Sequence, residues 1–214
     1  MFPGLGGATL PNGAPAAEPL PAEDGTKLID LSEKLDKPSC YARNENPGYP
    51  WGNLFIGDSR LGMQSDADEQ LIIHLSFQEF VKVKSIKFTE WNRGARPEMN
   101  PVTVHIHVNR VNLGFEASFI LVCFMQLVPI ALSQPICRSD VEDVDPEQTI
   151  KLTSFDLQEN SDPIDLYYVK FQRVKSLTFF IEDNAGGDVT ALGGLQIMGR
   201  TVATTNMNDF KKQG

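Results

Sequence analysis

The chain has 214 residues, with 28 acidic against 19 basic side chains and a formal net charge of −9, enough length to bury one substantial core as a single folded unit. That balance repels phosphate backbones and anionic lipid head groups, which argues against nucleic acid and membrane surfaces as partners. Cys40, Cys123 and Cys137 form no Cys-x-x-Cys pair and no disulfide framework, so a reducing compartment is expected; the opening MFPGLGG lacks the basic and apolar regions of a secretory signal, so export is not.

Residues 1–26, rich in Pro, Gly and Ala, carry too few large apolar groups to offset backbone entropy and are expected to be a disordered tail. In TKLIDLSEKLDKPS, Leu28, Leu31 and Leu35 share a helical face and Pro38 would stop the turn, which predicts a short helical turn docked on the domain. NENPGYPWGNLFIGD reads as an ordered loop, because Tyr49, Trp51, Leu54 and Phe55 give it something to bury.

From Leu71 onward the pattern is β. LIIHLSF, VKVKSIKF, VTVHIHV, LYYVKFQ, SLTFFIED and GLQIMGR are short runs of branched and aromatic residues, with QRVKS and DNAGGDVTALGG as connections. Val102, Val104, Ile106 and Val108 alternate with Thr103, His105, His107 and Asn109, which predicts a half-buried antiparallel strand with a polar outer face. Val81 and Val83 against Lys82 and Lys84 say the same. Six or more such strands with little helix predict an all-β fold, a jelly-roll β-sandwich.

Candidate chemistry is sparse. His105 and His107 leave one strand face about 7 Å apart, a spacing that suits zinc or copper, but no third ligand clusters there in sequence, so no metal is expected. His74, in an apolar strand, reads as a hydrogen-bonded sheet histidine. Asp66, Asp68 and Glu69 in SDADEQL lack the glycine and distal glutamate of a calcium loop and read as a solvated loop entering a strand. VEDVDPEQ reads as an acidic turn or helix start, with Asp145 ahead of Pro146. Without a nucleophile elbow, a phosphate loop, a dinucleotide fingerprint or a zincin motif, neither an enzyme nor a cofactor is expected. The expected role is binding through loops and exposed sheet faces.

The strings DLSEKLDKPSCYARNEN, SDADEQLIIHLSF, VKVKSIKF, YVKFQRVKSLTFFIEDNAGG and GRTVATTNMNDFK, in that order, resemble the PITH domain, the proteasome-interacting domain found after thioredoxin-like domains and also alone. The resemblance covers Asp30 to Lys211 apart from one interruption. It implies a galactose-binding-like jelly roll over 27–211, cytoplasmic or nuclear, that associates non-catalytically with the 26S proteasome regulatory particle; a monomer is expected. Relatives often carry a cysteine where Ala67 stands, and a Leu-Asn-Glu run after the cysteine where this chain has Cys40 followed by YARNE. Without a Cys-x-x-Cys motif, the disulfide-reducing activity of the two-domain relatives is not implied. The exposed polar residues of the signature give a candidate protein interface: Asp66, Asp68 and Glu69, with Asn206, Asn208, Asp209 and Lys211. A capping role for NMND at the last strand is the competing assignment. The alternative function is a jelly roll that binds a carbohydrate or other small polar ligand, with Tyr49 and Trp51 as a stacking platform.

The interruption is ASFILVCFMQLVPIALSQPICRS, residues 117–139. Its apolar run, Phe119 to Leu132, contains Gln126 and Pro129 and falls short of the roughly 20 residues a spanning helix needs. Crossing a membrane there would also part the two halves of one sandwich. Joining Glu116 to Asp140 restores the family pattern, so the segment is expected to be an insertion extraneous to the fold, a translated intron or an alternative exon.

Overall fold

The computed structural model describes residues 28–58, 60–92, 96–111, 113–115 and 144–202. The expected tail at 1–26 and the expected insertion at 117–139 lie outside the described residues.

Strands follow in the order β1 (Ile29–Asp30), β2 (Tyr41–Arg43), β3 (Met63–Gln64), β4 (Leu71–Thr89), β5 (Pro101–Val108), β6 (Gln148–Lys151), β7 (Ile164–Asp165), β8 (Val174–Asn184), β9 (Ala191–Leu192) and β10 (Gly194–Thr201). The pairings among them are antiparallel. Together they form a jelly-roll β-sandwich, as the alternation predicts, of the galactose-binding-like kind that the family resemblance implies.

The strand β4 belongs to both layers. Its first half, Leu71–Ser76, pairs with β8 on one side and β2 on the other, while Val81–Thr89 pairs with β10, and Ser85 and Ile86 with β7. A register shift between Ser76 and Val81 lets the strand turn the corner. LIIHLSF and VKVKSIKF are therefore one bent strand. Both halves point apolar residues inward: Leu71, Ile73 and Leu75 from the first, Val81, Val83, Ile86 and Phe88 from the second, all buried. Phe88 meets Phe179 of β8 edge-on at 5.8 Å between ring centroids. Burying each such ring stabilises the sandwich by about 1.5–3 kcal/mol.

The expected helical turn is a pair of 3-10 turns, Leu31–Lys34 and Lys37–Ser39. Asp30 caps the first by accepting from Ser32 N at 2.9 Å, and Leu31 and Leu35 are buried. Pro38 lies inside the second turn and does not stop the first, because its missing N–H costs nothing at a turn start. VEDVDPEQ starts no helix in its described part. The Glu147 carboxylate instead accepts from Val108 N at 2.9 Å, and β6 begins at the next residue.

Three further expectations are corrected. LYYVKFQ is not a strand: Leu166 N donates to Lys84 O at 2.8 Å and Val83 N donates to Phe171 O at 3.0 Å, so both ends are fastened to β4. Leu166 and Phe171 point inward, and the residues between them turn out into solvent. QRVKS is only partly a connection, since β8 begins at Val174. The outer face of β5 is not uniformly polar and exposed, because His107 is fully buried. The chain after β5 folds back over that face. Arg110 O accepts from Thr178 Oγ1 at 3.2 Å, and Leu113, Phe115 and Val144 pack on Ile72 and Phe180.

Candidate interaction surface

Asn44 closes β2 in the left-handed region, with φ of 60°, a conformation asparagine tolerates better than most residues. There its side chain reaches the Ser65–Gln70 loop. Nδ2 donates to Asp68 Oδ1 and to Gln70 O, both at 2.6 Å, and Oδ1 accepts from Ala67 N at 3.0 Å. The loop is fastened again on its far side, where Thr190 N donates to Ser65 Oγ at 2.8 Å and Thr190 Oγ1 donates to Glu69 O at 2.7 Å.

A second asparagine builds the facing loop after β8. Asn184 Oδ1 accepts from Gly186 N and Gly187 N, each at 2.9 Å, and Nδ2 donates to Gly187 O and Val189 O, each at 3.0 Å. Gly186 has φ of +104°, and a Cβ on Gly187 would lie 2.9 Å from Glu98 O. The string DNAGG is thus one Asx-turned loop with two positions that require glycine.

These loops enclose an open cleft of about 640 Å³ lined by Ala67, Asp68, Glu69, Asp183, Asn184 and Asp188. Two of its carboxylates are engaged: Asp68 by Asn44 and by Gln70 N at 3.2 Å, and Asp183 by Thr103 N at 2.9 Å. Those of Glu69 and Asp188, and of the adjacent exposed Asp66, have no hydrogen bond or ion pair among the described residues. The result is a preorganised acidic rim. Among the described residues no group of three histidine, cysteine, aspartate or glutamate side chains could hold a metal ion.

Of the candidate interface residues, Asp66, Asp68 and Glu69 stand together at this cleft, with Asp68 acting as a fastening as well. Asn206, Asn208, Asp209 and Lys211 lie outside the described residues. The last described residue, Val202, donates its N–H to Phe80 O at 2.9 Å, at the bend of β4.

Among the described residues, the histidines and Cys40 are built into the fold. Thr178 Oγ1 gives its proton to Arg110 O, so it accepts from His74 Nδ1 at 2.8 Å, and the His74 ring stacks on Tyr41 at 4.7 Å. His105 bridges Thr149 Oγ1 and Glu182 Oε2, each at 2.9 Å, and stacks on Phe180. His107 points from the same face, yet neither ring nitrogen has a hydrogen-bond partner. Burial holds both His74 and His107 below the ordinary histidine pKa. Cys40 is buried, accepts from Ser76 N at 3.3 Å, and has its thiol pKa pushed up by burial. Tyr49 and Trp51 form no joint platform: Tyr49 packs edge-on against Trp91 at 4.9 Å, and Trp51 against Phe55 at 6.1 Å.

Sequence reasoning missed Asn44, Asn184, Asp183 and Asp188. The signal was present in Asn-x-Gly-Gly, which is Asx-turn chemistry.

The sequence model of the PITH domain family matches residues 21–119 and 134–214. Thioredoxin-like protein 1 of Schizosaccharomyces pombe is 27% identical over 187 residues, covering 86% of this chain and 56% of that protein, so the chain spans little more than half the length of this relative. Among solved structures, the CBM32-1 and CBM32-2 domains of Clostridium perfringens ZmpB in complex with GalNAc match with a TM-score of 0.51 at 9% identity, over 81% of this chain and 36% of that one. CpGH89 from Clostridium perfringens, in complex with its substrate GlcNAc-alpha-1,4-galactose, matches with a TM-score of 0.50 at 10% identity, over 81% of this chain and 15% of that one. At such identities the likeness is one of fold alone. The match on both sides of residues 120–133, which together take in most of the chain, establishes that the chain belongs to the PITH domain family.

Proposed function

We propose that this chain is a non-catalytic, monomeric protein-binding module that associates with the regulatory particle of the 26S proteasome as an adaptor or accessory factor, in the cytoplasm and the nucleus. Membership of the PITH family carries the reading. The geometry supports it in kind: Cys40, His74 and His107 are buried in the fold, while Asp66, Glu69 and Asp188 stand outward on two fastened loops. Such a rim steers a basic surface toward it and fixes orientation, with salt sensitivity as its signature.

Capture on tagged chain from cell lysate at low salt is expected to recover regulatory-particle subunits. Recovery is expected to fall with the Asp66→Lys, Glu69→Lys, Asp188→Lys triple variant. Absence of those subunits with the unmutated chain would count against the proteasome assignment, and full recovery with the triple variant would move the interface away from the acidic cleft.

A further inference from the structure

We propose that the opposite end of the sandwich carries a second docking site, a groove beside the Tyr167–Tyr168–Val169 turn that takes an acidic peptide segment bearing a large apolar side chain. Tyr167, Tyr168 and Val169 are 62%, 74% and 85% exposed. A mobile loop could hide such residues by collapse, but this turn is fastened along its length. Tyr167 N donates to Gln148 Oε1 at 2.9 Å, Lys170 N to Tyr167 O at 3.0 Å, Lys170 Nζ to Glu147 O at 2.7 Å and Gln172 Nε2 to Tyr168 O at 2.6 Å. Buried Leu166 and Phe171 anchor its two ends in the core. Consecutive large apolar side chains displayed on a preorganised turn are what a binding anchor requires, since little ordering entropy remains to be lost.

Beside the turn lies a groove of about 360 Å³ whose apolar lining includes Leu28 and Tyr168 over the nearly buried Val83 and Leu166, with Lys82, Lys84 and Arg200 around it against the single carboxylate of Asp165. The Lys82 and Lys84 ammonium groups make no hydrogen bond or ion pair among the described residues. In a chain of net charge −9 this is a local inversion of sign. The apolar lining given by Leu28 and Tyr168 calls for an apolar side chain, and the two ammonium groups call for flanking carboxylates.

The site is distinct from the acidic cleft. Leu71, where β4 leaves the acidic loop, and Ser76, before the bend to Lys82, are separated by roughly 17 Å of extended strand. One module can therefore hold a basic surface at one end and an acidic segment at the other.

The test is fluorescence anisotropy on the full chain with three labelled peptides: Asp and Glu flanking one Phe, the same with Asn and Gln, and the acidic form with Ala for Phe. Saturable binding of the first is expected, weakened by about tenfold or more in each of the others. Lys82→Glu with Lys84→Glu, and separately Tyr168→Ala, are expected to weaken it comparably while keeping the unmutated melting temperature, because all three side chains are exposed. The acidic-cleft triple variant is expected to bind the peptide no less tightly, which separates this site from the proteasome reading. No binding at millimolar peptide, or equal binding by the lysine variant, overturns the proposal. So does a dimer in sedimentation that Tyr168→Ala abolishes, which would make a second copy the occupant. Tighter binding after deletion beyond Val202 would assign the groove to the chain's own C-terminal residues and overturns it as well.

Discussion

Asn44 and Asp68 are 24 residues apart in the chain, and Asn44 Nδ2 donates to Asp68 Oδ1 at 2.6 Å. This bond turns an acidic stretch that composition alone would leave solvated into one fixed wall of a cleft. Asn44→Ala removes four hydrogen bonds from the loop, including a long one at 3.4 Å to Asp68 O, and places a Cβ-bearing residue without a local amide at φ of 60°. The expected loss of stability is about 1–2 kcal/mol, with Asn44→Gly less damaging because it relieves the backbone while still losing the bonds. Urea unfolding of the two variants against the unmutated chain checks the order.

His74 and His107 both have pKa values lowered by burial. For His107 burial outweighs the opposing pull of Glu147, and the nearby His105 and Arg110 add smaller pushes in the same direction as burial. A lowered histidine pKa means that the unfolded chain binds more protons once the pH falls below about 6.5. The contribution of these residues to stability is thus complete above that pH and is lost as pH falls toward the folded pKa. His107→Leu replaces a ring with two unpartnered nitrogens. It is expected to keep or raise stability near neutral pH and to flatten the acid side of the stability profile. Urea midpoints across the acidic range check this; a steeper acid loss in the variant contradicts it.

Cys40 is buried and its thiol pKa is raised, so the reactive thiolate is scarce in the folded chain. Alkylation followed by peptide mapping is expected to label Cys40 at least about tenfold more slowly in the native chain than in denaturant. Rapid native labelling would reopen a redox role.

Phe115 and Val144, which flank residues 116–143 in the chain, pack on one cluster with Ile72, Leu113 and Phe180. Two ends held that close accept a loop of almost any length at a slowly growing entropic cost. Removing 117–139 is accordingly expected to leave cooperative unfolding intact and to improve solubility, because an apolar run is lost. Loss of a cooperative transition would make the segment an integral element.

Most of the layered fold was legible because period-two alternation in VKVKSIKF and VTVHIHV states which residues face the core. The failures share one cause. Local pattern cannot report what the chain does later, and His107 is buried on a face over which Arg110, Leu113, Phe115 and Val144 return. LYYVKFQ has strand composition, but its two ends bond to β4 and force the middle outward. At the candidate surface, Asp66 and Glu69 were legible as exposed acids. Their fixed placement opposite Asp188 was not, because it depends on Asn44, Asn184 and Thr190, which lie far from them in sequence.

The proposed docking of this chain on the proteasome regulatory particle is tested by titrating purified 26S proteasome with labelled chain and measuring co-sedimentation. Saturable binding is expected, weakening with salt and failing to saturate when Asp66, Glu69 and Asp188 are reversed to lysine. No co-sedimentation at low salt with the chain at about 10 μM would contradict it.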